Sequence, residues 1–175
     1  MASFMTPTHI YTANVGDSRA VLGRKNGDGA DAVELSEDQK PDRPDEKRRI
    51  LASSGRVHAC RGPSGEPIGP ARVWLAHQDV PGLAMSRSFG DGVAKSIGVH
   101  AQPEVSTVRR TPDDLFIIWA TDGVWEFISS QEAVDMVQAS ESPRIACQKL
   151  VRESTRRWKA EEEVIDDITA VVAFL

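Results

Sequence analysis

The feature that most constrains this chain is an unbroken apolar run, residues 115–120, that ends in Thr121-Asp122-Gly123. Six consecutive apolar or aromatic residues have the length and composition of a β-strand buried on both faces. The glycine lets the chain turn sharply after the strand, so Asp122 is expected at the edge of a sheet. A carboxylate on so apolar a support needs a partner, because an unpaired buried charge is costly.

Composition indicates an ordinary globular protein and excludes several classes. The 175 residues fit one domain, with 40% hydrophobic and 27% charged residues. A net charge of −5 argues against nucleic-acid binding. The two cysteines, Cys60 and Cys147, lack metal-type spacing and fit a reducing compartment. No apolar run is long enough for a membrane span and residues 1–7 do not form a secretory signal, so we expect an intracellular protein, cytoplasmic or nuclear, that does not bind membranes.

Turn and helix signals predict the elements of the first half. Residues 8–24 are expected to form two strands joined by a tight turn at Gly16-Asp17-Ser18. A short strand should follow near residues 32–35, and a helix over residues 45–53. Residues 56–82 contain four of the ten prolines and several glycines, so we expect a long irregular segment that could act as a flap.

The second half combines strands with two helices. A strand near residues 103–108 leads into the central apolar run. Ser129 with Glu132 three residues later is a capping box that begins one helix, and Ser142-Pro143 begins the next. The final run, residues 168–175, is expected to be a buried strand. Strands this closely spaced leave no room for helical crossovers, so we predict an α+β fold with mostly antiparallel sheets.

Three aspartates share one context beside these strands. Asp17 lies in the first turn, Asp122 ends the central strand, and Asp166 precedes the last strand. If the strands are neighbours, the three carboxylates converge at one sheet edge, where their like charges conflict. A hard divalent cation removes that conflict, and oxygen-only ligands select magnesium or manganese. Each motif alone is also compatible with a simple turn, and the residues by themselves leave that alternative open.

Several segments together resemble the metal-dependent serine/threonine protein phosphatases of type 2C, the PPM family. They occur in the order typical of that family and cover nearly the whole chain from residue 11 onward. These segments are Ala13-Asn-Val-Gly-Asp-Ser-Arg-Ala-Val-Leu22, Leu35-Ser-Glu-Asp-Gln-Lys-Pro41, Glu46-Lys-Arg-Arg-Ile50 with Gly55-Arg-Val57, Gly82-Leu-Ala-Met-Ser-Arg-Ser-Phe-Gly-Asp91, Pro103-Glu-Val105, Ala120-Thr-Asp-Gly-Val-Trp-Glu126 and Asp166-Asp-Ile-Thr169.

The resemblance implies an antiparallel β-sandwich flanked by helices, with a binuclear manganese or magnesium site that hydrolyses phosphorylated protein substrates. It implies that Asp122 and Asp166 are ligands of the binuclear centre. Asp17 would serve an additional, weaker metal position that also draws on Asp122. Glu126, at a position that is often aspartate in the family, would contribute there too. A complete domain of this kind is expected to be a monomer.

The resemblance also implies which residues border the substrate groove or face partners, and it shows where the sequence departs from the family pattern. Residues 56–82 would be the flap that borders the substrate groove. Trp74 or Trp125 could contact partners, although a core position is the better interpretation of Trp125. Gln39 replaces a histidine common in the family, which we interpret as a structural change, and Asp167 stands where asparagine is common.

The largest departure from the family is an absence. The Asp-Gly-His-Gly-Gly motif, whose aspartate bridges both metals in the family, has no counterpart in the 175 residues. We therefore expect residues 1–175 to be the C-terminal portion of a type 2C catalytic domain, incomplete on its N-terminal side and inactive in isolation. The strand at residues 10–14 would then lie unpaired at a sheet edge. The alternatives are a non-catalytic binding or regulatory module, or a chain that dimerises or pairs with a separate N-terminal fragment.

Overall fold

Ten strands and five helices make up the computed structural model, which describes residues 1–175. None of the helices combines the length and the apolar character needed to cross a membrane. In chain order the elements are β1 (Ala2–Met5), β2 (His9–Asn14), β3 (Arg19–Asn26), β4 (Gly29–Glu34), α1 (Pro44–Ala52), β5 (Arg56–Arg61), β6 (Pro67–Leu75), β7 (Gln78–Leu83), α2 (Gly92–Lys95), β8 (Glu104–Arg109), β9 (Asp114–Ala120), α3 (Asp122–Trp125), α4 (Ser130–Gln138), α5 (Pro143–Glu161) and β10 (Ala170–Phe174).

The chain divides into two compact units. The first unit consists of Met1–Asn14, Ser18–Glu37 and Glu104–Leu175, and the second of Val15–Asp17 and Asp38–Pro103. The first unit therefore contains seven of the strands and the helices α3, α4 and α5, whereas the second contains β5, β6, β7, α1 and α2.

The first unit is built from two antiparallel sheets, in the orders β10-β9-β3-β4 and β1-β2-β8. Ile10 of β2 packs with Leu22 of β3 and Ile117 of β9 in one buried cluster. The cluster joins the two sheets, because its members come from both. This arrangement confirms the predicted α+β fold with antiparallel sheets.

The apolar run forms β9 and is buried on both faces, as predicted. Ile117 belongs to the cluster between the sheets, while Ile118 packs in a second cluster with Val134 of α4 and Leu150 of α5. Consecutive side chains of a strand point to opposite faces, so one strand contributes to both clusters. The capping box at Ser129 and the N-cap at Ser142 begin α4 and α5 as predicted.

The hairpin predicted within residues 8–24 is wrong, although both of its strands are present. β2 pairs with β1 and β8, whereas β3 pairs with β9 and β4. The two strands therefore belong to different sheets. A turn signal indicates where the chain reverses, but the partner of each strand is decided by long-range burial of apolar side chains. The hairpin that β3 does form is with β4, through the chain reversal at residues 26–29.

The sheet edges also differ from the prediction. β2 does not lie unpaired at an edge, because residues 2–5 form β1 and pair with it. The last strand, β10, is itself an edge strand that pairs only with β9. Val172 is 8% exposed but Val171 is 54% exposed, so the expectation of a fully buried last strand is wrong. An apolar sequence alone does not distinguish an edge strand from a central one.

The sequence predicted an irregular segment at residues 56–82, and this prediction is wrong. The segment forms the three-stranded antiparallel sheet β5-β6-β7. Its prolines occupy positions where a missing N–H is tolerated. Pro67 begins β6, and Pro70 lies where the pairing between β5 and β6 shifts register. One face of this sheet contributes Val57 and Val73 to a buried cluster with Ile50 of α1.

A buried acid, Glu46 of α1, organises the polar part of the second unit. Its carboxylate is fully buried and accepts hydrogen bonds from Arg49 at 2.8 Å, from Arg87 at 2.7 Å and from the hydroxyl of Ser86. Burial opposes ionisation of Glu46, but the hydrogen bonds from Arg49, Arg87 and Ser86 outweigh it and hold the pKa of Glu46 well below its ordinary value of 4.5. The ion pairs compensate for burying the charge.

We expect Glu46→Gln to lower the free energy of unfolding by about 3–5 kcal/mol, because the buried guanidinium of Arg87 and the half-buried one of Arg49 would lose their counter-charge. The matched control is Asp45→Asn on the same helix turn, whose ion pair with Arg43 is exposed and should contribute less than about 1 kcal/mol. Urea unfolding of the native chain and the two variants measures both changes in the free energy of unfolding.

The lowered pKa of Glu46 also predicts that its contribution to stability depends on pH. Because the pKa of Glu46 is depressed in the folded state, its contribution to stability is present above its ordinary pKa of 4.5 and is lost as the pH falls below that value. The stability difference between the native chain and Glu46→Gln should therefore shrink as acid is added. A difference that is constant with pH would contradict the assigned charge.

Candidate metal centre

Asp122 lies where β9 ends and the short helix α3 begins. Thr121 precedes it in extended conformation, and the amide of Val124 donates to the Thr121 carbonyl at 2.9 Å. Asp122 is half-buried, whereas the helix that it begins is anchored by the buried side chains of Val124 and Trp125. The acid therefore stands on a rigid support at a sheet edge, as the sequence predicted.

Hydrogen bonds through Thr121 bring the segment of Asp166 and Asp167 beside this strand end. The Thr121 amide donates to the Thr169 carbonyl, and the Thr169 amide donates to the Thr121 hydroxyl, both at 3.1 Å. That hydroxyl in turn donates to the Asp167 carbonyl at 3.1 Å. The structure thus places the segments of Asp122 and Asp166 next to each other, because β9 and β10 are neighbouring antiparallel strands.

Gly123 permits the close approach of these two segments. A Cβ atom at position 123 would lie 2.4 Å from the carbonyl oxygen of Asp167. Contacts that short do not occur between a side chain and a backbone atom, so only glycine fits at this position. The need for glycine here comes from contact with a distant segment, in addition to the turn that the sequence suggested.

Asp166 and Glu126 are both exposed residues of the first unit. One carboxylate oxygen of Asp166 accepts the amide of Asp167 at 2.7 Å, which orients the side chain. Glu126 follows one helical turn after Asp122, and its amide donates to the Asp122 carbonyl at 2.9 Å. Residues four apart lie on the same side of a helix, so Glu126 and Asp122 share one side of the α3 turn.

Asp17 belongs to the second unit, where its carboxylate is buried and accepts a hydrogen bond from Lys40 Nζ at 2.6 Å. The preceding glycine, Gly16, has a φ of +106° and donates its amide to the side-chain oxygen of Gln39 at 2.8 Å. Gln39 is fully buried, which agrees with a structural role at this position. Sequence reasoning missed Lys40 as the partner of Asp17, since the two residues are 23 positions apart and no local pattern joins them.

The two tryptophans singled out from the sequence are both largely buried. Trp125 is 7% exposed, donates Nε1–H to the Ala120 carbonyl at 2.8 Å and lies beneath the guanidinium of Arg19. This confirms the core interpretation of Trp125. Trp74 is 9% exposed and stacks on His58 within the second unit.

We expect Gly123→Ala to lower the free energy of unfolding by about 1–3 kcal/mol, because the added methyl group displaces the backbone at Asp167. Gly92→Ala is the matched control: a Cβ at that position meets no atom within 4 Å, so stability should change by less than about 0.5 kcal/mol. Thermal unfolding compares the two variants, and equal stability would contradict the close contact at residue 123.

Comparison with known proteins identifies the family to which these features belong. The family model for protein phosphatase 2C matches residues 1–162. The chain is 48% identical over 170 residues to "Probable protein phosphatase 2C 64" of Oryza sativa subsp. japonica, an alignment that covers 95% of this chain and 39% of that relative. It is 45% identical over 168 residues to "Probable protein phosphatase 2C 34" of Arabidopsis thaliana, covering 94% of this chain and 46% of the relative.

A solved structure supports the same assignment. The fold matches the crystal structure of serine-threonine phosphatase 2C from Toxoplasma gondii with a TM-score of 0.83 and 29% identity, covering 98% of this chain and 56% of the other. The chain thus spans about half the length of the relatives it matches. With a family match over most of its residues, the chain belongs to the protein phosphatase 2C family.

Proposed function

We propose that this chain carries part of the active site of a manganese- or magnesium-dependent protein phosphatase that hydrolyses phosphoserine and phosphothreonine in phosphorylated proteins. The observation that carries the proposal is the anchoring of the Asp122 and Asp166 segments to each other through Thr121, within a chain of the protein phosphatase 2C family. Two acids on neighbouring backbone segments are the minimum that a shared cation requires.

Asp122 and Asp166 would be carboxylate ligands of a binuclear centre. Their donors are oxygen atoms only, which suits manganese and magnesium better than zinc. The fit is supported by the local structure, because Asp122 is half-buried on a rigid turn and Asp166 is exposed and oriented by the Asp167 amide. A pair of bound metals would lower the pKa of a bridging water and so supply the nucleophile.

Asp17 would serve an additional and weaker metal position, and Glu126, which shares one side of the α3 turn with Asp122, would be a further weak ligand. A cation at Asp17 must compete with Lys40, whose ammonium group already contacts the carboxylate at 2.6 Å. Replacing that ion pair subtracts from the binding free energy, which is a physical reason for weak affinity. Glu126 is exposed and reaches further from the backbone than an aspartate, so its contribution would cost more side-chain entropy.

The chain's own residues would act by positioning. Thr121 holds the end of β9 against residues 167–169, and Gly123 allows the two segments to approach. Fixed ligands bind a metal with less loss of conformational freedom than mobile ones, so these two residues would increase affinity without touching the metal.

A non-catalytic binding or regulatory module is the alternative. The observation that favours it is the absence of an Asp-Gly-His-Gly-Gly motif from the 175 residues, which leaves no bridging carboxylate among them. Sequencing of the transcript upstream of Met1 discriminates between the two functions. An in-frame motif of this kind would support a phosphatase, and an upstream stop codon without it would support the binding module.

We expect millimolar MnCl2 to raise the melting temperature of the chain, because a ligand that binds only the folded state stabilises it by mass action. Each kcal/mol of stabilisation corresponds to a rise of about 2–4 °C for a chain of this size. Asp122→Asn should abolish the rise, since it removes a charged ligand. Differential scanning fluorimetry with and without manganese measures both.

The control for that experiment is Glu141→Gln, an exposed acid in the link between α4 and α5. It changes the net charge by the same amount as Asp122→Asn and should retain the full temperature rise. An equal response of the native chain and Asp122→Asn would mean that manganese binds elsewhere, which would contradict the ligand assignment.

We expect the isolated 175-residue chain to release no phosphate from a phosphoserine peptide, with or without manganese. Two ligand carboxylates cannot hold a binuclear centre without the bridging acid. Malachite-green detection of phosphate is the measurement. Hydrolysis that requires manganese and disappears in Asp122→Asn would overturn the expected inactivity while supporting the metal site.

A further inference from the structure

The sheet β5-β6-β7 of the second unit has one face packed and one face open. Val57 and Val73 point into the cluster with Ile50 of α1. Successive side chains of a strand alternate between faces, so the residues on either side of Val57 and Val73 point the other way. These are Arg56 and His58 on β5, and Arg72 and Trp74 on β6.

A groove of about 400 Å³ lies on this open face. A groove of this size accommodates a few side chains of an extended peptide. It is lined by Arg56, His58, Cys60, Arg61, Trp74 and Asp79.

The floor of the groove is flat and fixed in place. The rings of His58 and Trp74 stack with centroids 5.3 Å apart and planes inclined by 12°. Trp74 Nε1–H donates to the His58 carbonyl at 2.8 Å, and His58 Nδ1 lies 2.8 Å from the Ala59 carbonyl. Gly82 packs against the Trp74 ring, where an added Cβ would lie 2.9 Å from two of its carbons. Trp74 is itself only 9% exposed, so it is the fixed support that holds the half-buried His58 ring in a preorganised position.

The charge in the groove is positive. Arg56 donates to the Leu75 carbonyl and the Asp79 carboxylate, both at 2.8 Å, so the acid that lines the groove is already neutralised. The guanidinium of Arg61 is exposed and has no hydrogen-bond or ion-pair partner in the protein. The pKa of Asp79 is lowered by the hydrogen bond from Arg56, with further Coulombic attraction from Arg56, His58 and Arg61. The groove therefore contains one guanidinium without a partner, that of Arg61, and one that is held in an ion pair, that of Arg56.

We propose that this groove binds an acidic segment of a partner protein. Arg61 receives a carboxylate or phosphate group of that segment, and the His58 ring, held in place by its stacking on Trp74, supports the neighbouring part of the peptide. A guanidinium binds either anion with two parallel hydrogen bonds, which suits Arg61 to this role. The proposal goes beyond the proposed function and does not rest on it, because no metal ligand lines the groove.

A peptide fits this surface better than a nucleic acid does. The chain has a net charge of −5, so a polyanion that extends beyond the groove meets repulsion. A short acidic segment can place its anionic group on Arg61 without covering much of the remaining surface. The groove contains one aromatic stack and one unpaired guanidinium rather than a row of cations, which fits one charged group followed by uncharged backbone and side chains.

Fluorescence anisotropy with the intact 175-residue chain tests the proposal. The probe is a short fluorescein-labelled peptide rich in Asp and Glu, compared with a version carrying phosphoserine and one in which Asn and Gln replace the acids. We expect the two anionic peptides to bind and the neutral one not to bind. Arg61→Glu should weaken binding at least about tenfold, whereas Arg61→Lys should retain part of it.

Arg48→Glu is the matched control, because Arg48 is exposed on α1, which covers the packed face of the sheet. It makes the same change in net charge and should alter affinity less than about twofold. Equal weakening in Arg48→Glu and Arg61→Glu would show that binding depends on net charge alone and would overturn the proposal. Equal or tighter binding of single-stranded DNA with the same charge as the acidic peptide would also overturn it.

Cysteine alkylation reports the location of binding independently. Cys60 lines the groove, whereas Cys147 lies on α5 of the first unit, and both thiols are free and half-buried. Saturating acidic peptide should slow modification of Cys60 by iodoacetamide and leave Cys147 unchanged, as measured by peptide mass spectrometry. Unchanged Cys60 reactivity, or equal protection of both thiols, would mean that the peptide does not occupy this groove.

Discussion

Burial of β9 on both faces is the constraint on which the first unit depends. Ile117 packs between the two sheets and Ile118 packs against α4 and α5, so neither layer can form without this strand. A strand held from both sides has a fixed end, and Asp122 is the residue that follows that end. The position of a polar residue at the proposed metal site is therefore set by apolar residues that precede it in the sequence. The proposed metal site is rigid because Asp122 follows a strand that is fixed by the core.

The parts of the fold that the sequence predicted correctly depend on local interactions. The capping box at Ser129 and the proline after Ser142 act within one helical turn. The incorrect predictions concern pairing between distant residues. The proline-rich segment 56–82 forms a sheet because the opposite strands bury Val57 and Val73 against α1, and this burial leaves no signal within the segment itself. The same reason explains why β2 and β3 were wrongly paired.

The residues of the candidate site were also predicted where the signal was local and missed where it depended on distant residues. Asp122 and Asp166 were recognisable because each adjoins an apolar strand, and the pairing of β9 with β10 does bring their segments together. Lys40, which contacts Asp17, and Arg87, which contacts Glu46, could not be inferred with comparable specificity, whereas Arg49 lies three residues after Glu46 on the same helix. The pairs with Lys40 and Arg87 join residues far apart in the sequence, which contains 21 basic residues that could serve as partners. Only the packing of α1 against residues 86–87 selects Arg87 as a partner of Glu46.

The environment of each acid separates structural from ligand roles. The carboxylate of Glu46 is buried among arginines, so binding a metal there would require breaking buried ion pairs that the second unit needs. Asp166 is exposed, and its carboxylate accepts a hydrogen bond from the adjacent Asp167 amide, which a bound cation need not disturb. Asp17 is intermediate, since its carboxylate is buried but has a single lysine contact at 2.6 Å, and the ammonium of Lys40 remains partly exposed. A metal can displace such a partner into water at modest cost, because the displaced lysine regains its hydration. Exchange of Lys40 for a divalent ion would thus make occupancy at Asp17 depend on metal concentration, whereas Glu46 would remain an ion-pair residue at any concentration.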